Sequence, residues 1–312
     1  MFEETFMTTL AEKVREELGG NYVVESRVVQ KEHATMHGFS IGEKESCIQK
    51  IIYLEQACDI MGSLDEKWEL GDIDHESVYQ EMLAKILVKN YQQAGKSPCL
   101  FGIENLISWD ELKQYVVLRL TSDREYAKQY LHWKVSDLYA IAYAEKTDCD
   151  YSESIGITRK LADRFHVTEE DVFSIACENT EKNTILVSMT GALDSCFCKE
   201  PFKDSDNLFG SNCLCDPDEM MYVLTNKNKL FGAAGILLPS IQKRLKDFLK
   251  EDFFILPSSV HELILVKAKN CMKVSELEEM VKTVNKTEVI PEDRLSDSVY
   301  KIENSSLCVA KD

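Results

Sequence analysis

The chain has 312 residues, 44% hydrophobic and 29% charged, the balance of a folded globular protein rather than a disordered one. Its formal net charge of −18 repels phosphate backbones and disfavours nonspecific nucleic-acid binding. The 11 cysteines are odd in number, and Met1-Phe2-Glu3-Glu4 lacks the basic-then-apolar order of a signal peptide, so reduced thiols in the cytoplasm are expected rather than a disulfide framework.

In chain order, residues 3–18 place Phe6, Leu10, Val14 and Leu18 on one face, which predicts an amphipathic helix stopped by Gly19-Gly20. Residues 22–29, 35–41 and 47–54 read as three strands of an antiparallel meander, the first two joined by the polar Gln30-Lys31-Glu32-His33. Residues 62–74 are polar and read as irregular. Residues 75–93 carry Val78, Met82, Ile86 and Val88 and read as a helix. The break at residues 95–98 marks a boundary, giving an N-terminal α+β domain over 1–95.

A middle αβ segment is expected over 99–190. Ser108 and Glu111 form a capping box there. Strands are expected at 115–120 and 184–189, with a helix over 122–130. Residues 135–144 read as one strand with Val135, Asp137, Tyr139, Ile141 and Tyr143 on one side, and Thr168 caps a helix running through Asn179. Residues 191–218 read as a loop.

The C-terminal segment, 219–312, reads as ββαββαβ, and it and the middle segment are compatible with a single domain. A strand at 221–225 and a turn at 226–229 lead into the apolar run 230–238, the longest in the chain and far too short to span a bilayer. Gly232-Ala233-Ala234-Gly235 inside that run allow close backbone approach. Pro239 suits the first turn of a helix that carries Ile241, Leu245, Phe248 and Leu249. Residues 253–256 and 263–266 are apolar on both faces, as central strands are. Ser275 and Glu278 read as a capping box for a helix with Leu277, Met280, Val281 and Val284 as its buried stripe and Asn285 as its stop. Residues 299–302 form a last short strand. The fold class expected is α+β, with mixed, mainly antiparallel sheets and flanking helices.

Several strings in this last segment, Tyr222-Val223-Leu224-Thr225-Asn226, Gly232-Ala233-Ala234, residues 255–262 and residues 295–300, occur in an order that resembles a family of Gram-positive anaerobic, gut Firmicutes-type bacteria known only as a domain of unknown function. Met280-Val281 and Val284-Asn285 fit it, as does Ile52-Tyr53-Leu54-Glu55 near the start. The resemblance is strongest over 219–301. It implies a bacterial intracellular protein and lends no catalytic residues.

Two places have the composition of a site. Cys196-Phe197-Cys198 and Cys213-Leu214-Cys215 supply four thiols in two pairs. In extended chain each pair faces one side and suits a tetrahedral zinc, although the usual knuckle spacing is C-x-x-C. The other reading is a loop with four reduced thiols. The second place is Pro257-Ser258-Ser259-Val260-His261-Glu262, between the two central strands. Ser259, His261 and Asp297 have the residue types of a hydrolase triad, but residues two apart on a strand do not aim a hydroxyl at an imidazole, and there is no G-x-S-x-G elbow. With Asn226, Ser258, Ser259, His261, Glu262 and Asp297 form a candidate ligand or partner surface. Phosphate loops and H-E-x-x-H are absent from the sequence, and His37, His132 and His166 stand apart as structural or exposed residues. The expected function is therefore cytosolic ligand or partner binding without catalysis. The alternatives are a hydrolase using the 258–262 turn and a zinc-stabilised regulatory protein. Apart from that zinc no cofactor is predicted, and the partner is an unknown protein or small molecule, not a membrane.

Overall fold

The computed structural model of the chain describes residues 4–31, 34–44, 50–65, 75–94, 108–148, 151–196, 201–210, 219–270 and 273–311. They fall in two compact units, Met1–Leu106 and Ile107–Asp312. The fold is α+β, and every strand pair described is antiparallel. No described helix is long and apolar enough to cross a membrane.

In the first unit, α1 (Glu4–Leu18) precedes a meander of β1 (Tyr22–Lys31), β2 (Ala34–Glu43) and β3 (Lys50–Tyr53). Two helices follow, α2 (Leu54–Asp65) and α3 (His75–Ala94). Alternation puts Val24, Phe39, Ile41 and Ile52 on the face that packs with Leu10 and Val14 of α1 and Leu83 and Leu87 of α3. Gly38 is required by close approach, because a Cβ there would lie 2.5 Å from the Ile52 carbonyl oxygen. The expected third strand is cut short. Leu54 begins α2, so residues 54–65, partly assigned to irregular chain, are helical. Glu55 in the first turn of α2 accepts from the backbone N–H of His37 at 2.8 Å and meets its Nδ1 at 3.0 Å, which ties the start of the helix to β2.

The second unit contains α4 (Trp109–Leu112), β4 (Val116–Thr121), α5 (Arg124–Ala127), β5 (His132–Val135), β6 (Leu138–Asp148), β7 (Tyr151–Gly156), α6 (Arg159–Phe165), α7 (Glu169–Asn183), β8 (Thr184–Ser188), α8 (Met189–Cys196), β9 (Met221–Asn226), α9 (Pro239–Leu249), β10 (Phe253–Pro257), β11 (Leu263–Lys267), α10 (Val274–Thr287), β12 (Tyr300–Glu303) and β13 (Ser306–Val309). The capping boxes at Ser108/Glu111 and Thr168/Asp171 are both present. One sheet has the order β4-β6-β5 with β7 also paired to β6, and the other the order β13-β12-β10-β11-β9-β8.

The expected strand over 135–144 is in fact a hairpin. Ser136 is in the left-handed region (φ 55) and Asp137 completes the reversal, so Val135 pairs with Leu138. The apolar run 230–238 is likewise not a strand. It forms a 3₁₀ turn, Gly232–Leu237, whose first five residues are buried between β4 of one sheet and β9 of the other. Residues 122–130 contribute only the single turn α5.

The two apolar strands β10 and β11 do lie at the centre of their sheet, and both faces are covered. Tyr222, Leu265, Ile255 and Tyr300 are cross-strand neighbours on one face, where Phe248 of α9 meets Tyr222 edge-on with ring centroids 5.6 Å apart. Phe254, Leu256, Ile264 and Val266 pack on α10 on the other. The α10 stripe differs from the expected one. Val274, Leu277, Val281 and Asn285 face inward, whereas Met280 and Val284 are 48% and 43% exposed. The helix begins one residue before Ser275, with Lys273 N–H donating to Glu276, and it continues past Asn285. Asn285 is held inside because its amide donates to the Ser296 carbonyl at 3.0 Å and to Asp297 at 2.7 Å.

Candidate functional site

The 258–262 turn joins β10 to β11, and its polar side chains bond chiefly within the chain. Ser258 Oγ donates to Glu262 Oε1 at 3.2 Å, and Ser259 Oγ accepts from the His261 N–H at 3.0 Å. Val260 N–H donates to the Asp293 carbonyl at 2.8 Å. The His261 carbonyl accepts from Gly232 N–H at 3.0 Å and from Thr225 Oγ1 at 2.9 Å. The turn is thus stitched to β9, to the 3₁₀ turn and to residue 293. Asn226 closes the preceding loop, since its side-chain oxygen accepts from Leu230 N–H at 3.2 Å while its amide donates back to the Leu230 carbonyl.

His261 is the pivot of the network. Its Nδ1 accepts from the Phe231 N–H at 3.0 Å, which assigns the proton to Nε2, and Nε2 donates to Asp293 Oδ1 at 3.2 Å. Its ring meets the Phe231 ring edge-on at 4.9 Å. Phe231 is in the left-handed region (φ 54), a conformation that costs a non-glycine residue about 1–2 kcal/mol. Its neighbour Gly232 has no room for a Cβ, which would lie 2.4 Å from Asn226 N and 2.7 Å from the Thr225 carbonyl carbon. On its other side Phe231 carries the Arg119 guanidinium 3.6 Å from the ring centroid, and Tyr143 lies 4.1 Å from the same guanidinium. Arg119 Nε is ion-paired with Glu145. Burial, and then Tyr126 with its hydroxyl 2.6 Å away, pushes the Tyr143 hydroxyl far above the ordinary phenol range.

The structure therefore brings Ser258, Ser259, His261 and Glu262 together in one turn, but not as a catalytic set. Both imidazole nitrogens are engaged, by Phe231 N–H and by Asp293, so neither faces the Ser259 hydroxyl as a base would. The carboxylate on His261 is Asp293, and Asp297 instead accepts from Asn285. Of the four candidate zinc ligands, Cys198, Cys213 and Cys215 lie outside the described residues, as does the side chain of Cys196 at the end of α8. Among the described residues no group of three or more His, Cys, Asp and Glu side chains is arranged to hold a metal ion.

Among the described residues of this unit, three hollows stand out. One of about 50 Å³ lies behind Phe231 and Gly232, with Glu145, Asn183 and Asn226 in its wall. One of about 500 Å³ lies between α8 and residues 201–208 and includes Phe202, Lys203 and Lys229. The third, about 790 Å³, opens where two strands of the sheet part. β10 pairs with β11 over five residues but with β12 only through Ile255↔Tyr300. Below that pair, Phe253 and Phe254 face Lys301 and Ile302 across the gap. Lys246 of α9, Lys250 just past its end, Lys301 and Lys311 line it, together with Glu251, Asp252 and Glu303.

A family model matches residues 3–303, nearly the whole chain. The chain belongs to DUF5688, a family of unknown function. No curated protein and no solved structure matches it. In this DUF5688 protein the strings that carry the sequence resemblance sit at structural brackets. Glu55 holds His37 in the first unit. In the second, the Tyr300 hydroxyl lies 2.9 Å from Asp137 and 2.7 Å from Ser296, joining the end of one sheet to the β5–β6 turn of the other. Burial, with Asp137 adding to it, holds that hydroxyl protonated well above the ordinary phenol range.

Sequence reasoning did not find Arg119, Asp293 or the lysine-lined hollow. Arg119 and Asp293 reach the turn from residues far away in the chain and leave no local pattern. Lys246 and Lys250, four apart in a strongly acidic chain, were a visible local concentration of positive charge.

Proposed function

We propose that this DUF5688 protein is a non-catalytic binding protein of the bacterial cytosol, and that its ligand is a small molecule bearing an anionic group, held in the lysine-lined hollow between β10 and β12. The observation that carries this reading is the convergence of four lysines on a 790 Å³ hollow in a chain of net charge −18. The volume is within the range of small-molecule sites, about 300–1,000 Å³. The net negative field is screened beyond about 8 Å at physiological salt, so at contact distance the charges of the wall itself, four lysines against three carboxylates, decide the sign of the interaction. Lys301 is tied to Glu303 at 2.7 Å, which leaves Lys246, Lys250 and Lys311 to meet an anion. The engaged nitrogens of His261 support binding without acid–base chemistry at the turn.

Calorimetric titration of the full chain with inorganic triphosphate tests the reading. Binding that weakens with rising salt, and weakens further in Lys246→Glu/Lys250→Glu, is expected. The absence of any heat or stabilisation up to millimolar anion overturns it. The reading also involves no metal, so protein purified under reducing conditions should carry far less than one zinc per chain. A stoichiometric zinc removed by Cys213→Ser would replace this reading with that of a zinc-stabilised regulator.

A further inference from the structure

We infer that β1 is a docking edge for a second copy of the chain, the two β1 strands pairing antiparallel about a two-fold axis at Ser26, with Glu25 of each copy opposite Arg27 of the other. This edge lies in the first unit and does not depend on the anion reading. β1 stands at the margin of its sheet and is ten residues long, against six or fewer for every other described strand at a sheet margin. It pairs with β2 residue for residue from Tyr22↔Glu43 to Lys31↔Ala34, so neither bulge nor proline blunts it. An edge this long and regular presents a row of backbone groups that can template another strand.

The phase of that row follows from three hydrogen bonds. Lys44 N–H donates to the Asn21 carbonyl at 3.0 Å, so Asn21, and by alternation Val23, Glu25 and Arg27, turn their backbone groups toward β2. The Val24 carbonyl instead accepts from Arg15 Nη2 at 2.9 Å, and the N–H of His37, opposite Val28, turns away from β1 to Glu55. Val24, Ser26 and Val28 therefore offer their N–H and C=O groups to the open side. The side chains select the occupant. Val23-Val24-Glu25-Ser26-Arg27-Val28-Val29 reads the same in both directions apart from one exchange of charge. A two-fold axis at Ser26 brings Ser26 and Val24 to hydrogen-bonded positions opposite Ser26 and Val28 of the second copy. It brings Glu25 to the closer, non-hydrogen-bonded position opposite Arg27. The Val24 carbonyl has a second lone pair for the new donor beside Arg15. Val28, on the same sheet face as the buried Val24, is 69% exposed and is covered by an apolar neighbour in this pairing. Glu25 and Arg27 already meet at 2.6 Å within the chain, but both are about half exposed, and in the pairing each carboxylate lies beside two guanidinium groups. Sliding either strand to the next register that keeps the hydrogen bonds sets Glu25 against Glu25 or Arg27 against Arg27, which repel. An arbitrary extended peptide lacks this self-complementarity, and a second copy of the chain has it by symmetry.

Sedimentation equilibrium of the full chain from about 1 µM to about 500 µM tests the pairing, since an interface of one strand pair is small and associates weakly. The net charge of −18 opposes self-association, so the run is made at physiological salt, where charges beyond about 8 Å are screened. The weight-average mass should rise toward twice that of one chain. Arg27→Glu and Glu25→Arg each set two like-charged pairs across the axis and should each weaken the dimer about tenfold or more. An equimolar mixture of the two variants should form a heterodimer, and Glu25→Arg/Arg27→Glu, which keeps the pair within the chain and the pairs across the axis, should dimerise like wild type. Hydrogen exchange at the Ser26 and Val28 amides should slow as concentration rises, while that at Glu25 and Arg27, already bonded to β2, should not. Should either single variant melt lower than wild type, the double exchange and the wild-type amide pattern decide. A wild-type chain that stays monomeric throughout refutes the pairing, and so does a dimer that both single variants form equally well. Single variants that are monomeric and that neither the mixture nor the double exchange rescues refute it as well.

Discussion

Replacing His261 by alanine separates a structural clamp from a surface residue. The substitution deprives the Phe231 N–H of its only described acceptor, and an unsatisfied amide costs about 1–3 kcal/mol. It also removes the edge-on ring contact with Phe231, worth about 0.5–1.5 kcal/mol. Asp293 is about a third exposed and regains water, so losing its imidazole partner adds little. His261→Ala should therefore destabilise the second unit by about 2–4 kcal/mol, with each kcal/mol lowering its melting temperature by about 2–4 °C. Two further variants identify the cause. In His261→Asn the side-chain oxygen stands near the position of Nδ1 and again accepts from Phe231, recovering about 1 kcal/mol. In His261→Gln the amide reaches instead toward Asp293 and recovers little. Urea unfolding should be followed by hydrogen exchange at the β10 and β11 amides, because a chain of two units need not unfold in one transition. A loss below about 0.5 kcal/mol, the level of an exposed site, or a recovery by Gln greater than by Asn, would refute the assignment of Nδ1 as the clamp.

The other expectations are more direct. Leu265 is 1% exposed at the centre of the six-stranded sheet, so Leu265→Ala should cost about 2–5 kcal/mol in the same unfolding measurement, and a cost under about 0.5 kcal/mol would mean the strand is not central. Gly232→Ala drives a methyl into the backbone of Thr225 and Asn226, and should prevent the turn from docking, seen as loss of exchange protection at the Gly232 N–H. Hydrogen bonds from the Thr168 side chain and backbone hold the Asp171 carboxyl below its ordinary range, so its contribution is present at neutral pH and is lost as pH falls through the lowered folded value. Asp171→Asn should accordingly narrow the gap to wild type as pH drops below the carboxylate range, and a gap that stays constant down to the acid limit would contradict the capping role.

What was legible in the sequence follows the range over which each signal acts. Helix faces and caps are local, and α1, α3, the Ser108 box and the Thr168 cap were read from residues within a turn or two of one another. The centrality of β10 and β11 was legible for another reason, since a strand apolar on both faces has nowhere to go but between two covering layers. The errors come from tertiary context. The run 230–238 has the hydrophobicity of a strand, yet Gly232 and Gly235 fit against the backbone of residues 225–226 and the side chain of Thr184, and that close approach selects a tight turn. On α10, the 3.6-residue pattern admits either Val284 or Asn285 inside. Asn285 wins because Ser296 and Asp297 wait for its amide, a fact that lies eleven and twelve residues downstream.

The same distinction bears on the polar residues of the 258–262 turn. Ser258, Ser259, His261 and Glu262 looked available because a turn between two buried strands needs no such residues to reverse direction. They are there to attach the turn. Its backbone crosses from one sheet edge to the 3₁₀ turn and to residue 293, and each polar atom brought inward on that route needs a partner. The partners are supplied by the turn itself and by Phe231, Thr225 and Asp293. A site that must remain open to a ligand has the opposite signature: charged groups without partners and an acceptor without a donor. Among the described residues of the second unit, Lys246, Lys250 and Lys311 line a hollow where one strand pair parts, whereas the polar groups of the turn are paired with one another.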